Sequence, residues 1–109
     1  MINITLHKAN DVFNGFVIEG HSGYADSGYD IVCASVSVLS YTALNSMNLV
    51  AGISSDEMIY CVEEDTGFLK LETIKNNEKT DVIYRNFLVG IELLLEDYSN
   101  YITLKFEEV

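Results

Sequence analysis

Cys33 and His21 are the side chains of this 109-residue chain best suited to nucleophilic chemistry. A thiolate attacks a carbonyl carbon, and a neighbouring imidazole can take the thiol proton and later return it to a leaving group. Asp30 stands three positions before Cys33 and is a good N-cap, because its short carboxylate accepts from the free amides of a first helical turn. That starts a helix at Ile31 and puts the thiol at its third position, where the positive end of the helix dipole favours thiolate. Twelve residues separate His21 from Cys33, and Gly20, Gly23 and Gly28 give that loop the backbone freedom to fold back on itself. The pair alone is not diagnostic, since a lone cysteine also serves as a small buried hydrophobe and a lone loop histidine is commonly just solvated.

Other residues near the pair invite roles. Asp30 has two, capping the helix or orienting His21. Ser37 follows Cys33 by four residues and shares its helix face, so its hydroxyl is placed to meet the sulfur or a substrate. The first-turn amides are natural donors for an oxyanion. Three glycines leave the loop from Ser22 to Tyr29 with little reason to hold one conformation when empty, so it is expected to be poorly ordered or displaced from Cys33 in the free protein, and the rings of Tyr24 and Tyr29 could close over a bound peptide. Cys61, between Tyr60 and Val62 in a strand pattern, is read as a structural thiol, and His7 as a surface residue. No metal site or cofactor is expected, because the histidines and cysteines at 7, 21, 33 and 61 lack paired ligand spacing. A phosphate cradle in the glycine loop would lack its counter-charge, as no lysine or arginine occurs from Asn10 to Gly67.

The elements that must position these residues follow from periodicity. Ile2, Ile4 and Leu6 alternate with polar residues as a strand, Ala9-Asn10-Asp11 is a turn, and Phe13 to Glu19 is a second strand. Ile31 to Ser55 carries no charge, but nine of its 25 positions are Ser, Thr or Asn. That favours a central helix packed on two sides, ending at Gly52, over a membrane span. Glu57 to Glu64 and Phe68 to Ile74 form a hairpin across Asp65-Thr66-Gly67. A helix capped by Thr80 or Asp81 buries Ile83, Phe87, Ile91, Leu94, Leu95 and Tyr98, and Tyr101 to Phe106 is a last strand. The fold class is therefore α+β, a two-layer β-β-α-β-β-α-β domain with a five-stranded sheet and two helices, occupying residues 1–109 as one domain. A formal charge of −11 excludes a nucleic-acid surface and suits a basic protein partner. The thiols are read as free in a reducing cytoplasm, and the N-terminus shows no secretory pattern. Surplus apolar surface on the first helix suits a homodimer.

Gly20-His21-Ser22-Gly23 followed by Gly28-x-Asp30-Ile31-Val32-Cys33-Ala34-Ser35-Val36-Ser37 resembles the signature of the bacterial ribosomal-processing cysteine protease family, the Prp proteases, and the length and element order match along essentially the whole chain. The resemblance implies an intracellular cysteine endopeptidase that removes a short N-terminal extension from large-subunit ribosomal protein twenty-seven. It makes Cys33 the nucleophile, His21 its base, and Asp30 and Ser37 the supports of the site. The reading of a different class is a non-catalytic module that grips a ribosomal or other basic protein through its acidic surface.

Overall fold

The structure, a computed structural model, describes residues 1–26 and 28–109. Strands β1 (Ile2–Ala9) and β2 (Val12–Glu19) form an antiparallel hairpin turned by Asn10 and Asp11, both at positive φ as a tight two-residue hairpin requires. Helix α1 (Ile31–Leu49) follows, then a 3-10 turn (Ser55–Glu57), strands β3 (Met58–Glu63) and β4 (Phe68–Thr73), helix α2 (Glu78–Tyr98) and strand β5 (Ile102–Glu108). The expected element order and α+β class hold. The sheet runs β3-β4-β2-β1-β5, antiparallel throughout except that β5 lies parallel to β1. Parallel pairing needs a crossover, and α2 supplies it.

The alternation in β1 buries Ile2, Ile4 and Leu6 beneath the helices, where Phe16 of β2 stacks on Phe87 of α2 with centroids 4.2 Å apart. Tyr84 fixes α2 to the sheet with a polar tip: the Thr73 hydroxyl gives its one proton to Asn76 Oδ1 at 2.6 Å and so receives the Tyr84 proton at 2.8 Å. Burial pushes the Tyr84 phenol far above its ordinary range.

Two expectations about the helices change. Helix α2 begins earlier than Thr80, because Asn77 accepts from the amides of Lys79 and Thr80 while Thr80 Oγ1 accepts from the Asn77 amide. A reciprocal cap of this kind satisfies three donors at once, which neither Thr80 nor Asp81 could do further along. Helix α1 ends at Leu49, before the Ala51-Gly52 stop expected of it, and Gly52, at a φ of 71°, turns the chain beyond it so that Ile53 N–H reaches back to Met47 O. Helix α1 is packed on two sides, as expected: Val32, Val36, Ser40, Ala43, Leu44 and Met47 are buried in the core and Leu39 meets α2 at Gly90, while Val38 and Leu49 are exposed. Among the described residues no helix is long and apolar enough to cross a membrane.

Entry into β3 is pinned by Glu57, which accepts from the Ser54 amide at 2.9 Å and hydroxyl at 2.8 Å and pairs with Lys75 at 3.2 Å. The Ser54 amide first, then its hydroxyl and the Lys75 ammonium, hold the Glu57 carboxyl at about 2, against an ordinary 4.5. A carboxyl depressed on folding stabilises the native state above its unfolded value and loses that contribution as pH falls through the folded one. Between pH 4.5 and about 2 the melting temperature of the wild type should therefore fall more steeply than that of Glu57→Gln, read by circular dichroism across that range; parallel curves would dismiss Glu57 as the pin.

Candidate active site

Asp30 ends the loop and starts α1. Its Oδ1 accepts from the amides of Val32 at 3.1 Å and Cys33 at 2.9 Å, and its Oδ2 accepts from the Ser22 hydroxyl and, at 3.4 Å, from the Ala25 amide. Partial burial pushes this carboxyl up, but the Ser22 hydroxyl and the Cys33 and Ala25 amides outweigh it and hold it below its ordinary value. Asp30 thus caps the helix, and among the described residues it makes no hydrogen bond to His21.

Cys33 is half-buried at the third position of α1. Its sulfur lies 3.4 Å from the Ser22 amide and 3.5 Å from the Ser22 hydroxyl. Since the Ser22 hydroxyl has one proton and gives it to Asp30, its lone pairs receive Cys33 S–H and, at 3.1 Å, the Tyr24 amide. Ser22 is therefore the hub that ties the loop to the thiol, and it is buried at 4 % exposure. Sequence reasoning passed it over; the signal was only its place beside His21.

His21 is exposed, and its ring is held from the opposite side, by the β3–β4 turn. Nε2 lies 3.0 Å from the carbonyl oxygen of Asp65. A carbonyl only accepts, so Nε2 carries a proton, and in the neutral ring the basic nitrogen is Nδ1. The turn comes this close because residue 67 is glycine: a Cβ there would sit 2.3 Å from Gly20 O and 3.2 Å from His21 Cε1, at a φ of 67°.

Cys33, His21 and Ser37 open onto one cavity of about 270 Å³, walled further by Tyr41 of α1 and by Val62 and Glu64 at the end of β3. Among the described residues there is no direct His21–Cys33 hydrogen bond, and Ser37 makes none with the sulfur. Three of the amides expected to bind an oxyanion are already engaged: those of Val32 and Cys33 by the Asp30 carboxylate, that of Ala34 by the Asp30 carbonyl. The Ser22 N–H is aimed at the sulfur.

The loop differs from the expectation that it stands away from Cys33, since Ser22 grips the thiol. Tyr24 lies edge-on against Tyr98 and Tyr101, at 5.7 and 5.2 Å, outside the cavity, and Tyr29 is 81 % exposed. Gly23 and Gly28 adopt positive φ with open space around them, and Ser27 lies outside the described residues. Cys61 is also a correction: it is exposed on β3 and fills no core position. Neither cysteine is paired.

This is a small α+β domain carrying a thiol at a helix start beside a loop histidine, the layout of a thiol-dependent enzyme. The family model described as cysteine protease Prp matches residues 1–103, and the chain belongs to that family. It is 26% identical over 106 residues to the ribosomal processing cysteine protease Prp of Bacillus subtilis, covering 92% of each chain. A solved Streptococcus mutans protein is 28% identical with a TM-score of 0.84, over 100% of this chain and 96% of that one. The ribosomal processing protease Prp of Staphylococcus aureus, solved with a covalently linked product peptide, has the same fold at 22% identity, with a TM-score of 0.86 over 98% and 100% of the two chains.

The packing of the turn against the histidine gives a test that needs no substrate. Gly67→Ala should force the β3–β4 turn off Gly20, move the His21 ring resonances and lower the melting temperature, since a residue with a Cβ at positive φ costs about 1 kcal/mol before any clash is counted. Unmoved His21 resonances would mean that the turn does not hold the ring.

Proposed function

We propose that this chain is a cysteine endopeptidase that removes the N-terminal extension of large-subunit ribosomal protein twenty-seven, with Cys33 as nucleophile and His21 as base. The observation that carries this reading is the shared cavity: a thiol at the third position of α1 and an imidazole held through its Nε2 face the same space. Membership of the Prp family and relatives named as ribosomal processing proteases support the substrate.

In the proposed reaction His21 Nδ1 takes the Cys33 proton, and the thiolate attacks the scissile carbonyl carbon. A C–S bond forms and the carbonyl π pair moves to oxygen, which the Ser22 N–H is placed to meet. Collapse breaks the C–N bond; the imidazolium protonates the departing amine, leaving a thioester. Water, deprotonated by His21, then attacks the thioester and releases a carboxylate and the Cys33 thiol. Asp30 supports the site by fixing the start of α1 and the position of Ser22, and Ser37 faces the substrate from the cavity wall. Engagement of His21 with the sulfur requires the Ser22 contact to yield, and the loop carrying Gly23, Tyr24, Gly28 and Tyr29 is the segment that would then re-form around the peptide. A surface of net charge −11 draws a basic precursor, in the cytoplasm where ribosomal proteins are made. Exposed Val38, Leu49 and Val50 on and after α1 suit a homodimer contact.

Incubation with the organism's own precursor, read by mass, should yield one cleavage; a stable complex without product would favour the non-catalytic acidic module. Cys33→Ser should abolish processing at an unchanged melting temperature, and His21→Ala should lower kcat about a hundredfold or more with little change in KM. An active Cys33→Ser protein, or a His21→Ala loss confined to KM, would remove that residue from its role. Because Cys61 is exposed, thiol alkylation is best followed in a Cys61→Ser background, where Cys33 should still react faster than a free thiol.

A further inference from the structure

The uncovered inner face of the edge strand β3 has no assigned role. Met58, Tyr60 and Val62 lie opposite Thr73, Leu71 and Leu69 of β4, and those three partners are buried beneath the helices. Met58, Tyr60 and Val62 therefore point toward the helix layer as well, yet Tyr60 is 54 % exposed, because α1 does not reach over the last strand. A trough results between α1 and β3. Its first part is the cavity holding Cys33 and His21, walled by Ser37 and Tyr41 on one side and Val62 on the other. Its second is a cavity of about 500 Å³ where Leu44, Asn45 and Asn48 of α1 face Met58 and Tyr60. The same two elements wall both parts in step: α1 runs from Cys33 to Asn48 while β3 runs back from Val62 to Met58.

The backbone of β3 is open along that trough. Ile74 N–H donates to Glu57 O, so the pairing one residue earlier than Met58↔Thr73 is a hydrogen-bonded one. Alternation along an antiparallel ladder then turns Ile59 and Cys61 toward β4 and leaves the N–H and C=O groups of Met58, Tyr60 and Val62 facing outward. Edge strands are usually blunted by charge, proline or a bulge. The other edge, β5, carries Lys105, Glu107 and Glu108, whereas Met58 to Val62 is uncharged and pairs with β4 in unbroken register.

We infer that the β3 edge and the trough beside it are an extended substrate site, in which a stretch of the precursor chain on one side of the scissile bond adds to the sheet as a sixth strand. The inference rests on the protease reading, and it deepens it. Occupancy by the substrate chain follows from alignment, since the second cavity lies along the same two elements, α1 and β3, that wall the cavity of Cys33, and from charge, since the end of β3 and its turn carry Glu63, Glu64 and Asp65 with no lysine or arginine from Asn10 to Gly67. The occupant is an extended peptide that alternates apolar side chains toward Tyr60, Met58 and Leu44, with basic residues near the scissile end. Six residues of strand span about 20 Å, and the face of α1 from Cys33 to Asn48 about 22 Å, so the site takes about six peptide residues.

The test uses a short peptide bracketing the precursor's cleavage point and the same peptide lengthened by about six residues on one side or the other. On the Cys33→Ala protein, one of the lengthened peptides should slow amide hydrogen exchange at Met58, Tyr60 and Val62, and the short peptide should not. With the Cys33 protein the same lengthening should raise kcat/KM about tenfold or more. Tyr60→Pro removes an outward N–H without breaking the ladder to β4 and should collapse the ratio of long-peptide to short-peptide kcat/KM beyond what Tyr60→Ala does; cleavage of the short peptide certifies the fold of both variants. Cleavage of the long peptides with no protection on β3 overturns the extended site and leaves the protease reading standing. Protection without cleavage by the Cys33 protein keeps the site and removes the protease reading. Protection that is present without peptide and vanishes on dilution means that a second copy of this chain occupies the edge, which also overturns the inference.

Discussion

The Asp30 carboxylate is the joint on which the site depends. One oxygen satisfies two amides that α1 would otherwise leave bare, and the other draws the Ser22 hydroxyl and the Ala25 amide down to the same point. Loop and helix are thereby fastened at one residue, with the sulfur of Cys33 beside it. An N-cap of this kind contributes about 1 kcal/mol in the ordinary case. Here it also occupies the amides of Val32 and Cys33, so the positive end of α1 reaches the thiol through the dipole field and not through those two N–H groups, and a carboxylate sits close enough to oppose part of that field. The Ser22 N–H, outside the helix, is aimed at the sulfur. Any argument that reads a helix-start cysteine as activated by its turn must ask who already holds the turn.

The two halves of the proposed catalytic pair are held by different parts of the fold. Cys33 belongs to the helix layer. His21 belongs to the sheet, through the Asp65 carbonyl and the close fit of Gly67 against Gly20. Their separation in the resting chain is therefore set by how the β3–β4 hairpin lies against the end of β2, and not by the flexibility of the glycine loop alone. Two restraints keep them from joining: Ser22 accepts the thiol proton on one side, and Asp65 fixes the imidazole on the other. Both are single hydrogen bonds in a partly wetted site, each worth about 0.5–1.5 kcal/mol net, which a bound peptide can replace.

Much of this was legible in the sequence, and the remainder was hidden for identifiable reasons. The five strands and two helices were legible, because β1 alternates cleanly and α1 begins at a strong cap, whereas the 3-10 turn at Ser55–Glu57 carried no periodic signal. The start of α2 was misplaced because Thr80, an apparent cap, is the reciprocal partner of Asn77, and propensity does not tell the two positions of a capping box apart. Asp65 acts through its carbonyl, which every residue has, so no side-chain pattern could announce it. Ser22 was overshadowed by the histidine beside it, and its importance comes from a meeting with Asp30 eight residues away that only the folded loop brings about. Cys61 looked structural because its neighbours are apolar; what pattern could not reveal was that its strand lies at the edge of the sheet, with no layer over either face.

That last point follows from the widths of the layers. Five strands spaced about 4.8 Å apart make a sheet about 24 Å across, whereas two helices of about 10 Å each cover about 20 Å of it. One strand's width must stay bare on the helix side. Which strand is decided by α2, whose aromatic residues are locked over β2 by Phe16 and Phe87 and which packs toward β5, so that α1 is left with the β4 side and cannot also cover β3. The uncovered edge then falls along the same helix whose first turn carries Cys33. In the proposed extended site one geometric shortfall supplies both the strand and the trough, and a third helix over β3 would strengthen the core while closing that approach.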